Sequence, residues 1–235
     1  MFITAVSFLM KMCSRVFVGD WFPVNTTSMT PTIVPGDKIW VNKLIFGARI
    51  YKNLDFIEGK PLESFRVKGW RKIRQGDVVV FNAPIQKSDS DSIKFKIDYV
   101  YVKRCMGVPG DTVLLPRVQR HSIEGRVNGR EPQRYSGVVY VPKKGDTLYL
   151  TRNNRGLYRA VIEYESHYSA SQRYHVFQNN YYFMCGDNSL QSYDSRYFGF
   201  VPEEFVIGVS RRVLFNNQNG WKQKWKERRI FKRLK

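Results

Sequence analysis

The sequence predicts a mostly β protein, and three observations carry that expectation. Asp98 to Met106 alternates with period two and stops at Gly107-Val-Pro-Gly-Asp111, as a half-buried strand ending in a tight turn does. Gly-Asp pairs recur at Gly36-Asp37, Gly76-Asp77 and Gly110-Asp111, and such pairs punctuate a chain that reverses often. Short runs rich in β-branched and aromatic residues outnumber helix-like segments, of which Leu157 to Tyr168 is the clearest. With 235 residues, 43% hydrophobic and 25% charged, the chain can bury a core as one or two domains and is neither a disordered nor a repeat protein.

Taken in order, Phe2 to Val18 is apolar apart from Lys11, Arg15 and small polar residues. Its uncharged stretch, Met1 to Met10, is shorter than the ~20 residues that span a bilayer. Residues 1–18 therefore read as a short membrane-anchor segment or an amphipathic helix in the interface, and Trp21 suits the same boundary. Thr26 to Asp37 packs hydroxyl residues, two prolines and a Gly-Asp turn into a stiff polar loop that feeds a strand. Val41 to Arg74 interleaves basic residues with Phe46, Tyr51, Phe56, Phe65 and Trp70, and reads as a membrane-facing extension. Asp77 to Phe81 is a buried strand, and Pro84 to Lys96 a polar loop.

On the strand that follows, Tyr99, Tyr101, Lys103 and Cys105 share one face, and Val100, Val102, Arg104 and Met106 the other. Beyond it, Gly137 to Pro142, Thr147 to Thr151 and Tyr181 to Cys185 read as strands, and Phe205 to Phe215 as a closing strand. Trp221 to Lys235 carries eight basic residues and one acid, without a single apolar stripe, and reads as a solvated basic tail or a lipid-adsorbing one.

Three blocks stand out for chemistry: Ser28-Met-Thr-Pro-Thr32, Lys103-Arg104 through Gly107-Val-Pro-Gly-Asp111, and Gly186-Asp-Asn188 with Ser192, Asp194-Ser-Arg-Tyr197 and Gly199. Together with Gln75-Gly-Asp77 before an apolar strand, and in this order, they resemble the type I signal peptidases, membrane-bound serine proteases with a Ser/Lys dyad. The resemblance covers residues 16–215 and implies a signal-peptidase-like catalytic β-fold over 19–111 and 183–220, with a smaller β-rich domain inserted at 112–182.

It further implies roles for single residues. Ser28 is the expected nucleophile and Lys103 its general base, with the Ser28 amide and the Thr26 hydroxyl forming the oxyanion hole. Ser192 stands where a hydroxyl contacts the lysine amine. Phe22, Val24, Met29, Ile33, Tyr101 and Val102 are expected to line an apolar substrate pocket, and Asp187, Asp194 and Arg196 to hold the last loop, the latter two as an ion pair. The expected partners are preprotein signal peptides, cleaved after Ala-X-Ala, and the lipid bilayer, at the cytoplasmic membrane with the catalytic face outside. Two departures from the pattern are Ser189-Leu-Gln191 in place of Arg-Asp-Asn, and Gln75 in place of arginine.

The residues support that chemistry independently. His121, His167 and His175 all lie outside the motifs, so a Ser-His-Asp triad has no obvious histidine. Lysine replaces histidine only when neutral, and at an ordinary pKa of about 10.4 roughly 1 in 2,500 lysines is neutral at pH 7, so Lys103 must be buried. Cys13, Cys105 and Cys185 are too far apart for a CxxC site and read as thiols, and neither metal nor cofactor is expected.

The net charge of +19 suits nucleic acid or an anionic membrane. No zinc spacing, helix-turn-helix or Walker pattern accompanies it, so no nucleic acid is expected. Two rival readings are a self-cleaving Ser/Lys repressor, for which the residues before Ser28 are too few to hold a DNA-binding domain, and an inactive basic binding module, against which both Ser28 and Lys103 speak.

Overall fold

A computed structural model describes residues 10–11, 13–52, 63–86, 93–115, 137–166, 169, 171–216 and 229–234. The strands up to the site are β1 (Gly19–Pro23), β2 (Asp37–Asn42), β3 (Arg49–Tyr51), β4 (Ser64–Arg66), β5 (Val78–Asn82), β6 (Ile85–Gln86), β7 (Ile93–Lys94) and β8 (Val100–Gly107). After them come β9 (Thr112–Leu115), β10 (Gly137–Tyr140), β11 (Thr147–Tyr149), helix α1 (Arg155–Glu165), β12 (Tyr174–Val176) and β13 (Tyr181–Cys185). A short helix α2 (Ser195–Phe198), β14 (Val201–Pro202) and β15 (Val206–Asn216) complete the set. The protein is thus mostly β, as expected from its periodicity.

Seven strands form one sheet in the order β1-β2-β15-β5-β8-β13-β14, and the others pair as two-stranded sheets. β5 explains the sheet's centre. All five of its residues are buried, Val79 and Phe81 in one apolar cluster and Val78 and Val80 in the other, so a continuous apolar run is what a strand covered on both faces needs. The smaller cluster holds Val24, Met29, Ile33, Ile39, Val41 and Val213 and lies under the Ser28 loop. The larger one runs from Val79 and Phe81 through Phe183 and Val209 to Val113, Val139, Tyr158 and Ile162, so β9, β10 and α1 pack on the same core as the sheet.

The Gly-Asp pairs are type II turns built alike. In each, the aspartate N–H donates to the carbonyl three residues back, at 3.1 Å for Asp37 and Asp77 and 3.0 Å for Asp111. The glycines have φ of +86°, +88° and +95°, a region only glycine enters without strain. Each carboxylate then accepts the N–H of that third residue back, namely Val34, Arg74 and Val108. A fourth copy, Gly145-Asp146, stands before β11.

The structure corrects two expectations. Residues 205–215 do not close the sheet: β15 lies inside it, paired with β2 and β5, because its two rows of backbone groups are both taken. Residues 84–96 are not wholly loop, since β6 and β7 pair there. The end of the basic tail keeps residues 230–233 exposed, yet its backbone runs beside β15: Val213 N–H donates to Lys232 O at 2.8 Å and Leu234 N–H to Arg211 O at 2.9 Å, and Leu234 packs on the smaller cluster. Residues 221–228 and 235 of that tail lie outside the described set, as do 1–9 and 12 of the expected anchor. No helix among the described residues is long and apolar enough to cross a membrane.

Candidate active site

Strand β8 and the loop after β1 bring Lys103 and Ser28 together. Lys103 Nζ lies 2.6 Å from Ser28 Oγ, and both residues are buried. The pairing follows from strand periodicity: Lys103 shares its face with Tyr101, whose ring centre is 5.3 Å from the amine, and with Cys105. Burial is the largest influence on the amine and lowers its pKa to about 8, with Asp194 pulling it back up and Arg196 pushing it down. At that value roughly one amine in ten is neutral at pH 7, about two hundredfold more than for an exposed lysine.

The last motif holds this pair from the other side. Asn188 N–H donates to Ser28 O at 3.0 Å, and Asn188 Nδ2 to Thr27 O at 3.2 Å, so the Gly-Asp-Asn loop grips the backbone of the Ser28 loop. Glycine is required at 186, where a Cβ would collide with Ser192 Oγ and with Ser28 O. Arg104, on the opposite face from Lys103, makes a two-pronged ion pair with Asp187 at 2.7 Å and donates to Gly76 O at 2.8 Å, tying three motifs together.

Asp194 organises the floor. Fully buried, it accepts from Gly186 N–H at 2.8 Å, Ser192 Oγ at 2.6 Å and both Arg196 Nε and Nη2, at 2.8 and 2.7 Å, while capping α2. Its negative charge is therefore matched by Arg196, and among the described residues no carboxylate is hydrogen-bonded to Lys103. Ser192, expected to contact the lysine amine, turns its hydroxyl to Asp194 instead, the stronger acceptor because it is ionised.

A cavity of about 310 Å³ opens in front of the pair, lined by Val24, Met29, Tyr101, Val102, Thr26 and Ser28 together with Pro23, Asn25, Val100, Lys103, Gln191 and Tyr193. Thr26 Oγ1 lies 3.4 Å from Ser28 Oγ, and the Ser28 N–H has no acceptor among the described residues. Two expected lining residues fall elsewhere. Ile33 is sealed in the smaller cluster beneath the loop, because the turn that brings Ile33 N–H to Met29 O points its side chain inward. Phe22 borders a neighbouring cavity with Val100, Ile97 and Ile207.

Sequence reasoning missed Val100, Tyr193 and Gln191 as cavity residues. Val100 was open to it, being two residues before Val102 on the same face. Gln191 belongs to the altered Ser189-Leu-Gln191 run, whose Leu190 is exposed. It had shown only as a departure, with nothing local to say that it borders the cavity.

The three cysteines are free thiols; burial raises the Cys105 pKa to about 12 and that of Cys185 further, so neither is a thiolate at neutral pH.

Comparison with known proteins follows the same lines. A family model described as "Signal peptidase, peptidase S26" matches residues 1–215. The protein named signal peptidase I in Pseudomonas aeruginosa is 30% identical over 215 residues, covering 85% of this chain and 66% of its own length. The one from Rickettsia conorii is 30% identical over 216 residues, covering 88% of this chain and 75% of its own, and one from Buchnera aphidicola is 24% identical over 245 residues. The chain thus spans two thirds to three quarters of these relatives. With a match that takes in every residue of the site just described, this chain belongs to the signal peptidase family, peptidase S26.

Proposed function

We propose that the chain is a membrane-associated serine endopeptidase that removes signal peptides from exported preproteins, with Ser28 as nucleophile and Lys103 as general base. The observation that carries this reading is the buried amine 2.6 Å from the Ser28 hydroxyl, with its pKa lowered to about 8 by burial.

The reaction follows from that geometry. Neutral Lys103 takes the hydroxyl proton as Ser28 Oγ attacks the scissile carbonyl carbon. The carbonyl oxygen becomes an oxyanion, held by the Ser28 N–H and the Thr26 hydroxyl. Protonated Lys103 then gives its proton to the leaving amine, which departs as the mature protein's N-terminus and leaves the signal peptide esterified to Ser28. Water, giving a proton to Lys103, hydrolyses the ester and frees the signal peptide's carboxylate. Arg196 neutralises Asp194 beside the lysine, which favours the proton's return.

The shallow apolar wall of Val24, Met29, Tyr101 and Val102 supports cleavage after small residues such as alanine. The further readings rest on sequence and likeness: residues 112–182 as a supporting insertion, residues 1–18 as a membrane contact, and a catalytic face on the extracytoplasmic side. Membrane association as such is supported by the family, and the positive net charge suits anionic lipid.

The test is incubation of the purified protein with a preprotein in detergent, with the new N-terminus read by mass spectrometry. Cleavage after Ala-X-Ala that Ser28→Ala abolishes is the expected result. Cleavage that survives Ser28→Ala, or no cleavage of any preprotein, defeats the reading.

A further inference from the structure

We propose that Arg229, beyond the stretch that matches the family, is a positioning residue for Ser28, and that it fixes the nucleophile loop from behind. This inference rests on the function proposed above.

The argument begins with Asp37, whose carboxylate is fully buried. It accepts Val34 N–H at 2.9 Å and Asn216 Nδ2 at 2.8 Å, but among the described residues its ion pair is with Arg229, whose Nε and Nη2 approach to 2.8 and 2.6 Å. A carboxylate so desolvated is strongly unfavourable without a cation, so this pair governs where Asp37 can sit.

Arg229 also reaches the loop at a second point: its Nη2 donates to Thr32 O at 2.7 Å. The planar guanidinium thus bridges the middle of the loop and its far end, and a lysine ammonium has no such fork. From Asp37 the constraint passes to the cavity wall, because Val24 N–H donates to Asp37 O and Gly36 N–H to Val24 O, both at 2.8 Å. From Thr32 it passes to Ser28 through the turn closed by Ile33 N–H and Met29 O at 2.9 Å. The Gly-Asp-Asn loop holds the front of Ser28 through Asn188; Arg229 holds the rear.

Arg229 is itself held. The chain after it lies along β15, where Phe231 N–H donates to Leu214 O at 3.1 Å, and Leu234 is packed on the cluster that includes Val24 and Met29. The match to the family model ends at residue 215, before this support.

A positioning role predicts a particular pattern. In the full-length chain, Arg229→Ala should lower kcat on an Ala-X-Ala peptide about tenfold or more, since misplacing a reacting group by ~1 Å is that costly. The acid limb of the pH profile should stay where it is, because Lys103 is untouched. Hydrogen exchange should speed up at Met29 to Ile33 while the β5 and β8 amides keep their protection. Arg229→Lys should recover only part of the rate, and Asp37→Asn with Arg229→Gln, a neutral hydrogen-bonded pair, more of it. Unchanged kcat and unchanged loop exchange in Arg229→Ala would overturn the proposal, as would faster exchange spread evenly over the whole sheet. Because exchange needs no substrate, it decides the positioning role even if the protein cleaves no peptide.

Discussion

On β8 the side chain of Lys103 is buried and meets a neutral hydroxyl at 2.6 Å, whereas its neighbour Arg104, on the other face, meets the Asp187 carboxylate at 2.7 Å. Burial lowers the pKa of the first to about 8, and the hydrogen-bonded carboxylate raises that of the second. The comparison separates two uses of a cation on one strand, buried at Lys103 and half-buried at Arg104. Arg104 is given a full counter-charge and becomes a tie between motifs; Lys103 has its nearby carboxylate, Asp194, already claimed by Arg196, and so can lose its proton. Periodicity alone put the two residues on opposite faces, and the partners supplied on each face made the difference.

Substitutions at Lys103 should break the comparison most completely. Lys103→Arg keeps the charge and cannot release it, so turnover should fall at least ~10³-fold with substrate binding retained. Lys103→Met should be equally inactive yet more stable. The sign follows from the lowered pKa: the unfolded chain binds the proton more tightly, so the folded state loses about 3 kcal/mol as pH falls from the ordinary lysine value through 8. The gain from Met should be full below pH 8 and vanish above about pH 10.5, less the lost contact to Ser28, as thermal unfolding across that range will read.

Thr26→Ala removes the proposed oxyanion donor and should cost ~10² in kcat without loss of folding, measured by steady-state kinetics. A smaller effect is expected in the pH profile of the unaltered protein. Its kcat/KM should rise with pH and level off above an acid limb near 8, where Lys103 becomes neutral, and a limb near 6 would point to histidine instead.

Arg104→Ala should behave as the opposite of the Lys103 changes. By leaving Asp187 unpaired it should lower stability by about 2 kcal/mol in denaturant titrations while leaving the acid limb in place. Ile33→Val should do least, costing ~1 kcal/mol for one buried methylene and leaving the choice of cleavage site unaltered, because Ile33 lies under the cavity and not in its wall.

Much of the fold and the centre of the site were legible because they are local. Alternation assigned the faces of β8, and the Gly-Asp pairs announced turns that need a positive φ. Val78 to Phe81 announced a strand buried on both faces. The resemblance of the motif blocks supplied the Ser28 and Lys103 pair, which no spacing rule yields by itself. Phe22 and Ile33 went astray because a loop residue has no periodicity to say which way it points. The Ser192 hydroxyl went astray because its choice of acceptor depends on where Arg196 places Asp194.

What the amino-acid sequence determined by itself is the set of strands, their two-sidedness and the residue types available for proton transfer, since these depend on neighbours a few positions away. Only the tertiary structure decided that β15 lies inside the sheet, that Gln191 and Tyr193 border the cavity, and that Arg229 neutralises Asp37 far away in the chain. Strand order and buried ion pairs are set by which surfaces and charges remain unsatisfied once the chain has collapsed, and that quantity belongs to the whole molecule, not to any stretch of it.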